Sequence, residues 1–167
     1  MQLGLLTKFL ALGDDNDSGI GQHFRILADA LAADGHAVHV IHPCENSPAA
    51  RASLTALAPA WSWELIDATP PGWLYRPFRL NWSNYALLAH LWAARAVNRA
   101  FAAARQRPPI EIIETHTYNL PAFALLRRRH RPKILSRVST TMSQMVAISP
   151  THSRALSWEA ALDRRAT

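Results

Sequence analysis

Two stretches of the chain carry residue types that could do chemistry. The first is "GDDNDSGIGQHF", Gly13 to Phe24, in which Asp14, Asp15, Asn16 and Asp17 precede Ser18, Gly19, Ile20, Gly21 and His23. The second is "IEIIETHTYNL", Ile110 to Leu120, where Glu114 and His116 follow an apolar run. Three chemistries fit the first stretch in part. A calcium loop needs oxygen ligands at alternate positions and a closing Glu. Asp15 and Asp17 alternate, but Gly19 holds the next ligand position and no Glu closes the loop, so calcium is excluded. A dinucleotide fingerprint needs three glycines in a tight turn directly after a strand. Here Phe24 stands where the third glycine belongs, and the loop from Leu6 to Gly19 is too long for that turn. The third chemistry asks less. A helix N-terminus offers unpaired N–H groups and a partial positive charge, and glycines there let an anion approach the backbone. The plainer account is that both glycines simply start a helix whose dipole the acidic residues favour. On this loop alone the plainer account prevails.

The surrounding pattern shows what must position these residues. Leu3 to Leu6 is a short continuous apolar run, the signature of a strand buried on both faces. Ile20, Phe24, Leu27, Ala28 and Leu31 then mark one face of a helix, with Ser18 as its expected N-cap and Gly35 as its stop. Ala37 to Ile41 is the next strand, completing a βαβ unit and implying a parallel sheet. Further along, Ala49–Ala58 is expected as a short helix and Trp63–Ile66 as a third strand. The loop Asp67–Ser83 is rich in Pro, Trp and Arg and leads into a long Ala-rich helix, Asn84 to about Arg105. Ile110–Ile113 is the fourth strand. Asn119-Leu120-Pro121 opens another helix, Ile134–Val138 is the fifth strand, and Ser153–Arg165 is a last helix with Ala155, Trp158 and Leu162 on one face. The fold class expected is α/β, a doubly wound parallel sheet in three layers, left incomplete at the C-terminal end because the last helix should lead into another strand.

The chain of 167 residues has room for one domain with a proper core, and the whole of 1–167 is read as that domain. About half of it is apolar and charged residues are few, which excludes a disordered chain. With 18 Lys and Arg against 12 Asp and Glu the net charge is +6, which favours anionic partners without choosing among phosphorylated substrates, acidic lipid and nucleic acid. Cys44 is the single cysteine, so no internal disulfide can form, and a reducing cytoplasmic location is expected. The N-terminus lacks a basic region and a cleavage site, and no run is long enough to span a membrane. The location expected is therefore cytoplasmic, with the inner face of the cell membrane as the furthest excursion.

Other conspicuous residues have plain readings beside functional ones. His36, His39 and His42 suggest a metal site, but residues three apart on a strand lie on opposite faces, so surface or strand-end positions are expected and no metal is assigned. His23, on the first turn of the glycine-turn helix, is a cleft candidate and equally a helix-surface residue. "PPGWLYRPFRLNWSNY" combines Trp73, Tyr75, Phe78, Trp82 and Tyr85 with Arg76 and Arg79. Its rings could stack on a ligand while its guanidinium groups hold an anion, or it could rest on a membrane interface, or pack its rings onto the sheet. "RRRHRPK", Arg127 to Lys133, reads as a solvated helix end, since no interleaved aromatics mark it as a specific nucleic-acid patch. Glu114 could be a base near the cleft or a partner for an Arg.

The opening "LGLL", the Ser18-Gly19-Ile20-Gly21 turn and "HFRILADALAADGHAVHVIHP" closely resemble the start of glycosyltransferase family 4 enzymes of GT-B architecture. "IEIIETHTYNLPAFALL", Ile110 to Leu126, resembles the family's strand-loop-helix segment, with His116 at the place of a His that faces the inter-domain cleft. "PKILSRVSTTMSQM", Pro132 to Met145, is similar to the next strand and loop, where family members often carry His at the position of Ser139.

The resemblance implies a Rossmann-like N-terminal, acceptor-side domain of a retaining, metal-independent enzyme that uses a nucleotide-sugar donor and no further cofactor. Gly19, Ile20 and Gly21 would lie against the donor diphosphate and His116 would contact the transferred sugar as the catalytic residue. His23, Arg76, Arg137 and Ser139 complete the expected substrate-binding set. The acceptor would be a carbohydrate or a lipid-linked molecule. The C-terminal donor domain with its E-x7-E pair is not found in the 167 residues, so the expectation is a truncated domain, inactive alone. The alternative is a non-enzymatic binding module or subunit that meets a donor-binding domain on another chain.

Overall fold

The computed structural model describes residues 1–8, 10, 19–57, 60–75, 82–103, 109–116, 121–129 and 131–137, without the side chains of 74–75 and 82–87. Five strands form one sheet: β1 (Gln2–Leu6), β2 (Ala37–Cys44), β3 (Ser62–Asp67), β4 (Ile112–His116) and β5 (Lys133–Arg137). Their spatial order is β3-β2-β1-β4-β5, and every pairing is parallel. Between them run α1 (Gly19–Ala33), α2 (Pro48–Leu57), a single turn α3 (Gly72–Tyr75), α4 (Trp82–Ala103) and a 3-10 helix (Phe123–Arg127).

Alternation along the strands splits the apolar residues between two cores. Leu5, Val38 and Val40 face one side, where Phe24 and Ala28 of α1, Leu54 of α2 and Trp61 cover them. Leu6, Ile41, Ile66 and Ile113 face the other, under Ala96 and Val97 of α4 and Ala122 and Leu125 at the 3-10 helix. This is the doubly wound, three-layer α/β sheet expected from the sequence, with a Rossmann-like topology.

Local chemistry explains where the elements stop. Gly35 adopts φ +81°, and the N–H groups of Gly35 and His36 donate to the carbonyls of Ala32 and Leu31, closing α1 in a Schellman turn that needs a residue without Cβ strain. Ser47 caps α2 through Oγ, which accepts from the Ala50 N–H at 3.2 Å, and Pro48 takes the first helical position. The fourth strand begins two residues later than the apolar run implies. Its pairing with β1 starts at Leu3 opposite Ile112, and Thr115 is kept in the ladder because its hydroxyl donates to the Leu6 carbonyl at 3.0 Å. The segment after it is a 3-10 helix rather than an α-helix. Leu125 N–H and Arg128 N–H make i→i+3 bonds to Ala122 and Leu125, stacking Ala122 and Leu125 against α4. The Ser18 cap, Asn119 and the Ser153–Arg165 helix lie outside the described residues.

Two connections run outward on one side of the sheet, from β1 to β2 to β3, and two run back on the other, from β3 to β4 to β5. The winding therefore reverses between β1 and β4. At this pairing the side chains of Ile110 and Ile113 sit over Gly4: a Cβ there would meet Ile110 Cγ2 at 3.0 Å and Ile113 Cγ1 at 3.1 Å. Gly4→Val is expected to cost about 1–3 kcal/mol by overpacking this contact, read as a lowered urea midpoint; an unchanged midpoint would show that Ile110 gives way freely.

Candidate functional site

In an open parallel sheet, ligands gather beyond the carboxyl ends of the strands where the winding reverses. Here that is the edge above Leu6 and His116, with the N-terminus of α1 over it. Gly19 is exposed and nothing lies within 4 Å of the position its Cβ would take, whereas Gly21 is buried. Ile20 packs its side chain against the α1-side core, so in this first turn any contact with a ligand falls to its backbone. A helix's first four N–H groups have no acceptor within it, and its N-terminus carries a partial positive charge, so this end of α1 suits an anion.

Strand register brings the chemistry-bearing side chains to the same place. Glu114 pairs with Leu5, so it projects on the α1 side of the sheet, and His116 does so two residues later. The His116 ring is buried, 2% exposed, with its centroid 5.8 Å from that of Phe24 in an edge arrangement. His23 also lies edge-on to Phe24, at 5.6 Å. Phe24 is thus a spacer that sets both imidazoles. Arg137 is the register partner of His116 on β5, and its Nε donates to Glu114 Oε1 at 3.0 Å. The same oxygen faces His23 Nε2 at 3.7 Å, an ion-pair separation too long for a hydrogen bond.

Of the two roles open to Glu114, the geometry realises the Arg partner. With Arg137 half exposed, this ion pair adds only about 0–1 kcal/mol to stability. Its consequence is orientation: the Nε–H donor spent on Glu114 fixes the direction of the planar guanidinium, whose fork geometry suits an anion. The structure therefore brings together Gly19, Ile20, Gly21, His23, His116 and Arg137 from the expected set. Arg76 and Ser139 lie outside the described residues. Among the described residues, no group of three His, Cys, Asp or Glu side chains could hold a metal ion.

The three-histidine run departs from the surface reading. His42 is 2% exposed, and its Nδ1–H donates to the Thr7 carbonyl at 2.7 Å, at the end of β1. Burial lowers its pKa from the ordinary 6.5, against a smaller upward pull from that hydrogen bond. The alternation Val38, Val40, His42 was the signal that could have placed it inward, with the core. His39 faces the other side and accepts a fixed place there: Ser62 Oγ donates to the Val38 carbonyl and receives His39 Nδ1–H at 2.8 Å, while Nε2 faces Glu64 at 3.4 Å. Cys44 is half-buried and its thiol is pushed up to about 11 by burial and the nearby Glu45 and Asp67 carboxylates, which leaves it a packing residue.

The model of glycosyltransferase family 4 matches residues 18–167. The chain belongs to that family. It shares 13% identity with apo UGT2 of Phytolacca americana and superposes on it with a TM-score of 0.57, covering 91% of this chain and 33% of that one. At that identity the likeness is one of fold. A second structure, the glycotransferase of kitacinnamycin, is 14% identical with a TM-score of 0.47, covering 98% of this chain and 38% of that one. The chain thus spans about a third of the length of the first of these structures. No curated protein matches it in sequence. In this family 4 chain the switch-point edge, built by α1, β4 and β5, is the place where the sheet presents its donors and its imidazoles together.

His42 supplies a pH test of that edge. The folded ring resists a proton that the unfolded chain accepts near 6.5, so its contribution is present above that pH and is lost as pH falls below it. The urea midpoint should drop between neutral and mildly acidic pH, and His42→Asn, which retains a donor for Thr7, should flatten that slope. An equal slope in both proteins would place the titration elsewhere.

Proposed function

We propose that this family 4 chain works as the N-terminal, acceptor-side domain of a retaining glycosyltransferase, presenting the α1 turn to the diphosphate of a nucleotide-sugar held by a second domain. The single observation that supports the reading most is the convergence of the α1 N-terminus, His116 and Arg137 at the edge where the sheet winding reverses. As the bond between sugar and diphosphate breaks, negative charge gathers on the leaving phosphate. The positive N-terminus of α1, at Gly19 to Gly21, and the Glu114-oriented Arg137 would stabilise that added charge in the transition state more than in the ground state. His116, set by Phe24, would hydrogen-bond the transferred sugar, and His23 would border the acceptor. The transfer in this reading needs no metal, and the donor nucleotide is bound by residues outside this chain. A lipid-linked acceptor would place the domain at the inner face of the membrane.

Inorganic pyrophosphate is a usable probe of the diphosphate-facing turn without the donor domain. In an amide-resolved NMR titration it should shift Gly19, Gly21 and His23, and Arg137→Gln should weaken that binding on the order of tenfold. Pyrophosphate that leaves these amides unmoved overturns the proposed role of the turn. Purified alone, the 167-residue chain is expected to transfer no sugar from a nucleotide-sugar. Measurable transfer by it would overturn the two-domain division of labour, and complementation by a separate donor-binding chain would favour the subunit form.

A further inference from the structure

The distribution of acidic residues is uneven. No Asp or Glu occurs between Asp67 and Glu111, or between Glu114 and Glu159, so α4 and the 3-10 helix contain none. Both elements lie on the same side of the sheet, opposite α1 and α2. Their outward surface carries Arg95 and Arg99 of α4 and Arg127 and Arg129 at the 3-10 helix, all exposed. Arg128 ties the two groups into one surface, its Nη1 donating to the Asn98 carbonyl at 3.1 Å and lying 3.3 Å from Asn98 Oδ1. Leu91 is exposed beside them at 38%, a turn before Arg95. Trp92 is half-buried, with the Arg99 guanidinium 5.1 Å over its ring.

From this arrangement we propose that the α4 and 3-10 helix face is a docking surface for an anionic lipid bilayer. Charge complementarity names the occupant: several guanidinium groups with no carboxylate on the same elements attract a surface of lipid phosphates, each by an electrostatic term that acts within a Debye length. Leu91 and the edge of Trp92 add apolar area at the same level, and the long Arg side chains can cover the apolar helix while reaching headgroups. The Arg99 position discriminates between anionic partners. Single-stranded nucleic acid is held by stacking bases on open aromatic faces, and here a guanidinium already occupies the Trp92 face. This surface is separate from the switch-point edge, so its test does not depend on the transferase reading.

The 167-residue chain is mixed with vesicles of phosphatidylcholine, with or without phosphatidylglycerol, and sedimented. Binding is expected with the phosphatidylglycerol vesicles only, falling as salt is raised. Arg95→Gln with Arg99→Gln should weaken it on the order of tenfold. Arg25→Gln with Arg51→Gln removes the same charge from exposed positions on α1 and α2, across the sheet, and should leave binding within about twofold of the parent. Leu91→Ser should weaken binding at high salt more than at low salt, reading the apolar contribution. Equal losses in the two double variants would reduce the effect to net charge and overturn the proposal, as would no binding to either vesicle. Binding to a single-stranded oligonucleotide that the α4 variant abolishes, without vesicle binding, would assign the face to nucleic acid instead.

Discussion

The parallel pairing of β1 with β4 is the contact on which both the fold and the candidate site depend. It joins segments more than a hundred residues apart, through ladder bonds and through the Thr115 hydroxyl on the Leu6 carbonyl. Closing so long a loop costs entropy before any contact repays it. The repayment comes from apolar burial, with Leu6 and Ile113 fully covered and the side chains of Ile110 and Ile113 packed over Gly4. A reversal of winding at this pairing then marks the edge beyond the strand ends where open sheets take ligands, and α1 begins at that edge.

What stands at that edge follows from the period of a strand. Glu114 and His116 share the α1 side of β4, and parallel register sets Arg137 beside His116. An acid between a histidine and an arginine could have been a base, but the 3.0 Å contact commits its oxygen to the guanidinium. The acid thereby converts a flexible cation into a directed one. Phe24 performs the apolar counterpart of that task, holding His23 and His116 each in edge contact with its ring. Orientation, not stability, is what the partly exposed Arg137–Glu114 pair contributes.

Much of the fold was legible because its causes are local. Five strands, the two helices α1 and α2, the long α4 and the stop at Gly35 all follow from apolar periodicity and turn chemistry within a few residues. The misreadings also have a common cause. Ile110 belongs to the core without belonging to the fourth strand, and Thr115 belongs to that strand despite its polarity, because pairing with β1 decided both. The helix expected after Pro121 tightens into a 3-10 turn because Ala122 and Leu125 must both reach α4.

By itself the sequence determined the α/β class, the alternation that splits the core between two faces, the glycines that open α1, and the long acid-free stretch that makes one surface basic. Those properties reside in nearest neighbours and in composition, which need no knowledge of what lies across the chain. Only the tertiary structure decided the strand order, the burial of His42 and His116, the choice of Arg137 as the partner of Glu114, and the joining of α4 to the 3-10 helix through Arg128. Each of these is a contact between distant segments. Their free energy depends on which strands pair and which faces are covered, and no local period encodes that.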